Sequence, residues 1–251
     1  MKKLLCMSLI ATIVTLSACE TKPIINETSI NSKTPKIEYG SRESEWLMWD
    51  DAKGLVEDAL ADLVITGRVT GISFQVNDAH TGAAADGETK KRYDEEYEVE
   101  VTPWMVLDLV TLYDVDVIET YKGKVTNSTQ VKMLGGIKDY RVEEQMKLVE
   151  EFDLEFIIPS ERDIRFEIGE TYLFVLSQIR DLPPIPLNLD QAIHNLDNPF
   201  RNTEYSDISA YDIISTFGED RWESFWGDWQ RDNPDWESRI DKAEVERVLD
   251  E

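Results

Sequence analysis

The chain is poor in the residues that most chemistry needs. It has 251 residues but only two histidines and two cysteines. His80 and His194 lie far apart in loop-like segments and form no His-x-x-x-His pair, so a zinc centre has no ligand set to start from. There is no Gly-x-Ser-x-Gly elbow, no Gly-x-x-x-x-Gly-Lys loop and no Gly-x-Gly-x-x-Gly turn, which removes support for a serine hydrolase of that type and for nucleotide binding. Basic residues are also scarce. Against 51 acidic side chains stand 26 basic ones, a formal charge of −25. Such a surface repels phosphate backbones, so no nucleic-acid partner is expected, and it disfavours charge-driven docking on anionic lipid. Asp228, Asp232, Asp235 and Glu237 sit close together but lack the ligand offsets and sixth-place glycine of a calcium loop, so they read as helix caps and solvated charge. No metal and no cofactor is expected. The enzyme class left open is a hydrolase working with two carboxylates, which need no motif.

The N-terminus is informative. Met1-Lys2-Lys3 is followed by an uncharged, mostly apolar run from Leu4 to Ala18, 15 residues long. That is shorter than the roughly 20 residues a membrane-crossing helix requires, so residues 1–18 read as a signal peptide. The run ends in Leu16-Ser17-Ala18-Cys19, which resembles the lipobox of bacterial lipoproteins. The resemblance implies that Cys19 carries a diacylglycerol thioether as the first mature residue. It also implies an extracytoplasmic protein anchored to the cell membrane by N-terminal lipid. Cys6 leaves with the signal, so no disulfide can form and folding rests on the core alone. Loss of Lys2 and Lys3 moves the charge from −25 to −27. Residues 19–43 show no sustained period and read as a lipidated, flexible tether.

The folded part is organised around LDLVTLYDVDVIETY, Leu107 to Tyr121. Alternation of apolar residues with Asp108, Asp114 and Asp116 predicts a long strand with an acidic outer face. Upstream, Ser44 is placed to cap a helix carrying Trp49, Ala52, Val56, Ala59, Leu60 and Leu63 on one stripe. The helix leads into a strand whose buried phase switches from Leu63, Ile65 and Val69 to Ile72, Phe74 and Val76. A bulge at Gly71 accounts for the switch, the alternative being two short strands with a turn there. Asn77 to Pro103 reads as an insertion, in which Tyr97, Val99 and Val101 could form an extra strand. Thr129 to Leu134 is a strand stopped by Gly135-Gly136. Val142, Met146, Val149 and Phe152 suggest an amphipathic helix, and Tyr172 to Leu176, apolar on both faces, predicts the most buried strand.

ADLVITGRV, TLYDVDVIETYKG, VKMLGG and GETYLFVL, taken in order, resemble the blocks of a small barrel module of uncharacterised Gram-positive surface lipoproteins. That module is similar to OB and netrin/TIMP-like barrels. The resemblance covers about residues 60 to 180 and implies no catalytic residue. The expected fold is therefore mainly β with added helices. In detail it is a small closed or partly open OB-like β-barrel over 44–182, with an N-terminal helix, a proline-containing linker at 183–205 and a helical C-terminal unit at 206–251.

In that last unit Asp207 can cap a helix bearing Ile208, Tyr211, Ile214 and Phe217, ended by Gly218. Trp222, Phe225, Trp226 and Trp229 follow at helical spacing, and Asn233-Pro234 opens a further helix with Trp236. Trp222, Trp226, Trp229 and Trp236 are the candidate binding residues, because exposed tryptophans anchor protein interfaces and stack on sugars. Their alternative task is to pack the helices onto the barrel. The favoured function is a non-enzymatic, membrane-anchored lipoprotein with a protein-interaction or structural role and a protein partner at the aromatic helices. A small-ligand or glycan-binding module is the alternative, and a carboxylate-dependent hydrolase the second.

Overall fold

The computed structural model of the chain describes residues 47–86, 107–154, 156–160, 164–197, 208–232 and 234. These residues are mainly β with added helices, as the sequence predicts. Two strands of 16 residues dominate, β1 (Leu63–Asp78) and β2 (Leu107–Lys122). β3 (Ser128–Leu134), β4 (Thr171–Ser177), β5 (Ile185–Pro186) and β6 (Ile193–Asn195) join them. Every pairing is antiparallel, in the order β3-β2-β1-β4-β5, with β6 also on β4.

β1 is continuous, and its pairing with β2 slips at Val64/Ile65, Thr66/Gly67 and Val69/Gly71. The last slip is the bulge expected at Gly71. It lets Leu63, Ile65 and Val69 enter the same core as Ile72, Phe74 and Val76 while the strand curls. The sheet is not closed into a shell, which corrects the closed form of the expected barrel. Its free ends approach at a backbone hydrogen bond, Lys132 N–H to the Pro184 carbonyl at 2.9 Å. The cause is chemical: Pro183, Pro184 and Pro186 have no N–H to donate, so the β5 side cannot extend a ladder to β3.

The sheet is packed on both faces, with a separate core on each. The larger core holds the inward residues of β1, β2 and β3 together with Ile157, Phe166, Tyr172 and Phe174, and α2 (Val142–Glu151) brings Val149 to it. The smaller core joins Val64, Leu173 and Val175 to α1 (Ala52–Glu57) and α3 (Ala210–Ser215). This explains the double-sided burial of β4, whose successive residues serve alternate cores.

α1 is much shorter than the helix expected from Ser44. Asp51, not Ser44, caps it, its carboxylate accepting from Gly54 N–H at 2.6 Å, and Ser44 lies outside the described residues. Ala59 and Leu60 are exposed rather than on the buried stripe. Trp49 precedes the helix because its backbone is otherwise engaged. Gln191 accepts from Trp49 N–H at 2.9 Å and donates to its carbonyl at 2.8 Å. Asn188 donates to the Leu47 carbonyl at 2.9 Å, while its own Oδ1 accepts from the amides of Asp190, Gln191 and Ala192. Asn188 and Gln191 are buried, as are Leu189, Ala192 and Leu196 around them. The proline-containing stretch is thus an extended wrap that contributes two short strands and part of the smaller core. The amphipathic helix expected within 140–156 corresponds to α2, which starts after Arg141 in the left-handed region (φ 44°). Arg141 holds there by donating to the Ile72 carbonyl, pairing with Glu144 and lying over the Phe74 ring.

Candidate functional site

The C-terminal aromatics are built on two helices. Ser209 caps α3 in a reciprocal arrangement with Asp212: the Ser209 hydroxyl accepts from Asp212 N–H, and the Asp212 carboxylate accepts from Ser209 N–H at 2.8 Å. Asp207, the cap expected from sequence, is outside the described residues. Ile208, Ile213 and Ile214 are buried, whereas Tyr211 is exposed and not on the packed face. Gly218 turns the chain with φ +130°, a left-sided conformation, and α4 (Glu219–Asp232) follows.

Trp222 is the hub. Its ring meets Tyr211 edge-on at 5.4 Å, Phe225 at 5.5 Å and Trp226 in a near-parallel stack at 5.8 Å. Trp222, Phe225, Phe217 and Tyr121 pack at the border of the smaller core. Arg221 ties the helix to the far end of β2. It pairs with Glu119 at 2.7 Å and lies over the Tyr121 ring at 5.7 Å. The Tyr121 hydroxyl lies beside Thr66 and Glu119 without a hydrogen bond of normal geometry, and burial followed by the Glu119 charge raises its pKa far above the ordinary phenol value. Of the four tryptophans singled out from sequence, the structure brings together Trp222 and Trp226. The Trp229 side chain and Trp236 lie outside the described residues, as does Cys19. Tyr211 and Phe225 join the cluster; Phe225 was legible in the helical spacing, Tyr211 only once α3 and α4 were placed.

Two acids of β2 are engaged by separate partners. Asp114 accepts from Gln130 at 2.8 Å, and Glu119 pairs with Arg221. Asp228 is bound to Arg231 one helical turn on. Among the described residues, no group of three or more histidine, cysteine or acidic side chains is placed to hold a metal. No helix among them is long and apolar enough to cross a membrane. Trp222 and Phe225 pack against the smaller core and Trp222 meets Tyr211 of α3, while Arg221 makes the contact with the end of β2.

His194 was read from sequence as lying in a loop. It is a buried residue of β6, its Nε2–H donating to the Gln191 carbonyl at 2.8 Å. Burial lowers its pKa from 6.5 to about 4, against smaller opposing effects of the Gln191 carbonyl and Asp212. The unfolded chain therefore binds a proton between these values that the folded chain refuses. Stability is complete above pH 6.5 and falls as pH drops towards 4, by up to roughly 3 kcal/mol from this residue. Urea unfolding at pH 7 and pH 4.5 is expected to show that loss in the wild type and a smaller one in His194→Gln.

Compared with known protein families, the chain matches no family model, and it matches no curated protein.

Proposed function

We propose that this chain is a membrane-anchored extracytoplasmic lipoprotein, lipidated on Cys19, with a protein-interaction or structural role. The observation that carries the reading is the basic Met1-Lys2-Lys3, the 15-residue apolar run and the Leu16-Ser17-Ala18-Cys19 box in sequence. The domain it carries is read as a partly open OB-like barrel. Support comes from the long bulged β1, the antiparallel order of the strands and the approach of β3 to the β5 side at Lys132 and Pro184. The seating of Trp222 and Phe225 against the smaller core favours the aromatic helices as a brace for the domain over a free stacking platform.

Membrane partition of the full chain and of Cys19→Ser tests the anchor. Wild type is expected in the membrane fraction, carrying an alkyne fatty acid supplied in growth medium. Cys19→Ser is expected to lose both label and retention, and unchanged retention rejects the proposal.

A further inference from the structure

We propose that the end of the domain at which residue 47 joins it is a lipid-facing surface that rests on the bilayer. The inference depends on the anchor reading above and adds to it an orientation and a second, weaker point of contact.

Large apolar side chains are unevenly exposed. Leu47 is 64% exposed, Met48 51%, Leu60 50% and Ile179 54%. These are four of the eight large exposed apolar residues among the described residues. Short links hold them at one end of the sheet. The Asp58 carboxylate accepts from the Trp49 indole at 3.1 Å through one oxygen and from Leu60 N–H at 2.7 Å through the other. Leu60 is therefore close to the residue that follows Met48. The next acid, Asp62, receives Gln178 N–H at 2.9 Å, which places Ile179 beside the same turn. Asp62 and Leu176 pair at the end of β4, so the four residues gather where β1 begins and β4 ends. Scattered surface hydrophobics need no explanation, but a gathering of this kind marks a contact surface.

The place of this surface in the chain identifies its occupant. Residues 20–46 separate Cys19 from Leu47. Even fully extended, those residues keep Leu47 within roughly 100 Å of a lipid on Cys19. A surface held that near a bilayer meets lipid at high effective concentration, so a few apolar side chains suffice for contact. Charge does not drive it: exposed Asp50, Asp51 and Asp181 stand against Lys53 and Arg180 around the apolar residues. The expected contact is accordingly with a zwitterionic lipid surface, and added anionic lipid weakens it.

Depth-dependent fluorescence quenching tests this with the full lipidated chain in phosphatidylcholine vesicles. Once Cys6 is removed with the signal and Cys19 is acylated, Leu60→Cys supplies the one labelling site. Lys147→Cys on α2 serves as a reference, and thermal unfolding confirms that both variants are folded. Brominated lipid is expected to quench a fluorophore at position 60 at least about twofold more than one at 147. The quenching should fall when Ile179→Asp is added and when phosphatidylglycerol replaces part of the phosphatidylcholine. Equal quenching at the two positions overturns the proposal. The Cys19→Ser partition experiment reads the anchor separately, so loss of the anchor and loss of the orientation give different results.

Discussion

Replacing Phe166 with alanine is expected to lower the unfolding free energy by about 3–5 kcal/mol. Phe166 lies outside regular structure yet is almost fully buried. Its ring sits 4.4 Å from Tyr113, 5.0 Å from Tyr172 and 5.4 Å from Phe174. It joins β2 to β4 across the larger core, a role no strand ladder duplicates because β1 lies between them. Truncation removes the transfer free energy of the ring and leaves a void that Tyr113 and Phe174 fill only by leaving their own contacts. Phe166→Leu should lose a fraction of that, because leucine still fills part of the space. The measurement is the urea midpoint at pH 7, with an unchanged slope. A loss below about 1 kcal/mol for alanine would mean that the aromatic cluster is not the centre of the core.

Gly135→Ala is expected to cost about 3 kcal/mol or more, adding left-handed backbone strain to overpacking. Gly135 has φ +90°, and a Cβ there would meet Ser160 N at 2.6 Å and the Ile158 carbonyl and Pro159 backbone at 2.7 Å. None of these is a side-chain tip that can swing away. The backbone of 158–160 is held against this turn by Gly136 N–H to the Ile158 carbonyl and Ser160 N–H to the Gly136 carbonyl, both 2.8 Å. Gly169 provides the internal control. Its φ is +96°, but nothing lies within 4 Å of the position a Cβ would take. Gly169→Ala should therefore show the conformational cost alone, about 1–2 kcal/mol. Equal losses at 135 and 169 in parallel thermal and urea unfolding would rule out the close-approach argument.

The strand pattern was legible because successive side chains point to opposite faces, but the burial of Val110 and Leu112 departs from the one-sided, acid-faced β2 that the alternation predicts. The phase switch around Gly71 was legible for the same reason, since a bulge is the cheapest way to keep both halves of β1 in one core. Gly135-Gly136 could be read as the end of a strand, but not as the site where 158–160 docks, because close approach leaves no mark on the neighbouring sequence. Gln145 shows the same limit. It reads as one polar residue of an amphipathic helix. In the structure it is fully buried, bonded to both backbone groups of Ile137 and to the Tyr140 carbonyl. A side chain that replaces missing strand partners has no periodicity to betray it. The prolines at 183–186 marked the stretch as a linker, but it also carries two short strands and core residues, and Asn188, Gln191 and His194 were not legible as buried because polar residues are ordinarily exposed. In the candidate site, Trp222 and Phe225 followed from helical spacing. Tyr121 and Glu119, the partners of Arg221 on the same helix and about 100 positions upstream, depend on the curl of β2, which its alternation does not specify.

The pair of amides at Gln191 and Asn188 has a mechanical consequence. A pull on the chain from the direction of residue 46 would load the Trp49–Gln191 and Leu47–Asn188 bonds before it reached any hydrogen bond between strands. Because Asn188 is itself braced by three amides of its own turn, tension would spread into the wrap over β4 instead of peeling β1 from β2 and β4. The domain would thus yield first at a fastening that can close again, leaving the sheet intact under strain.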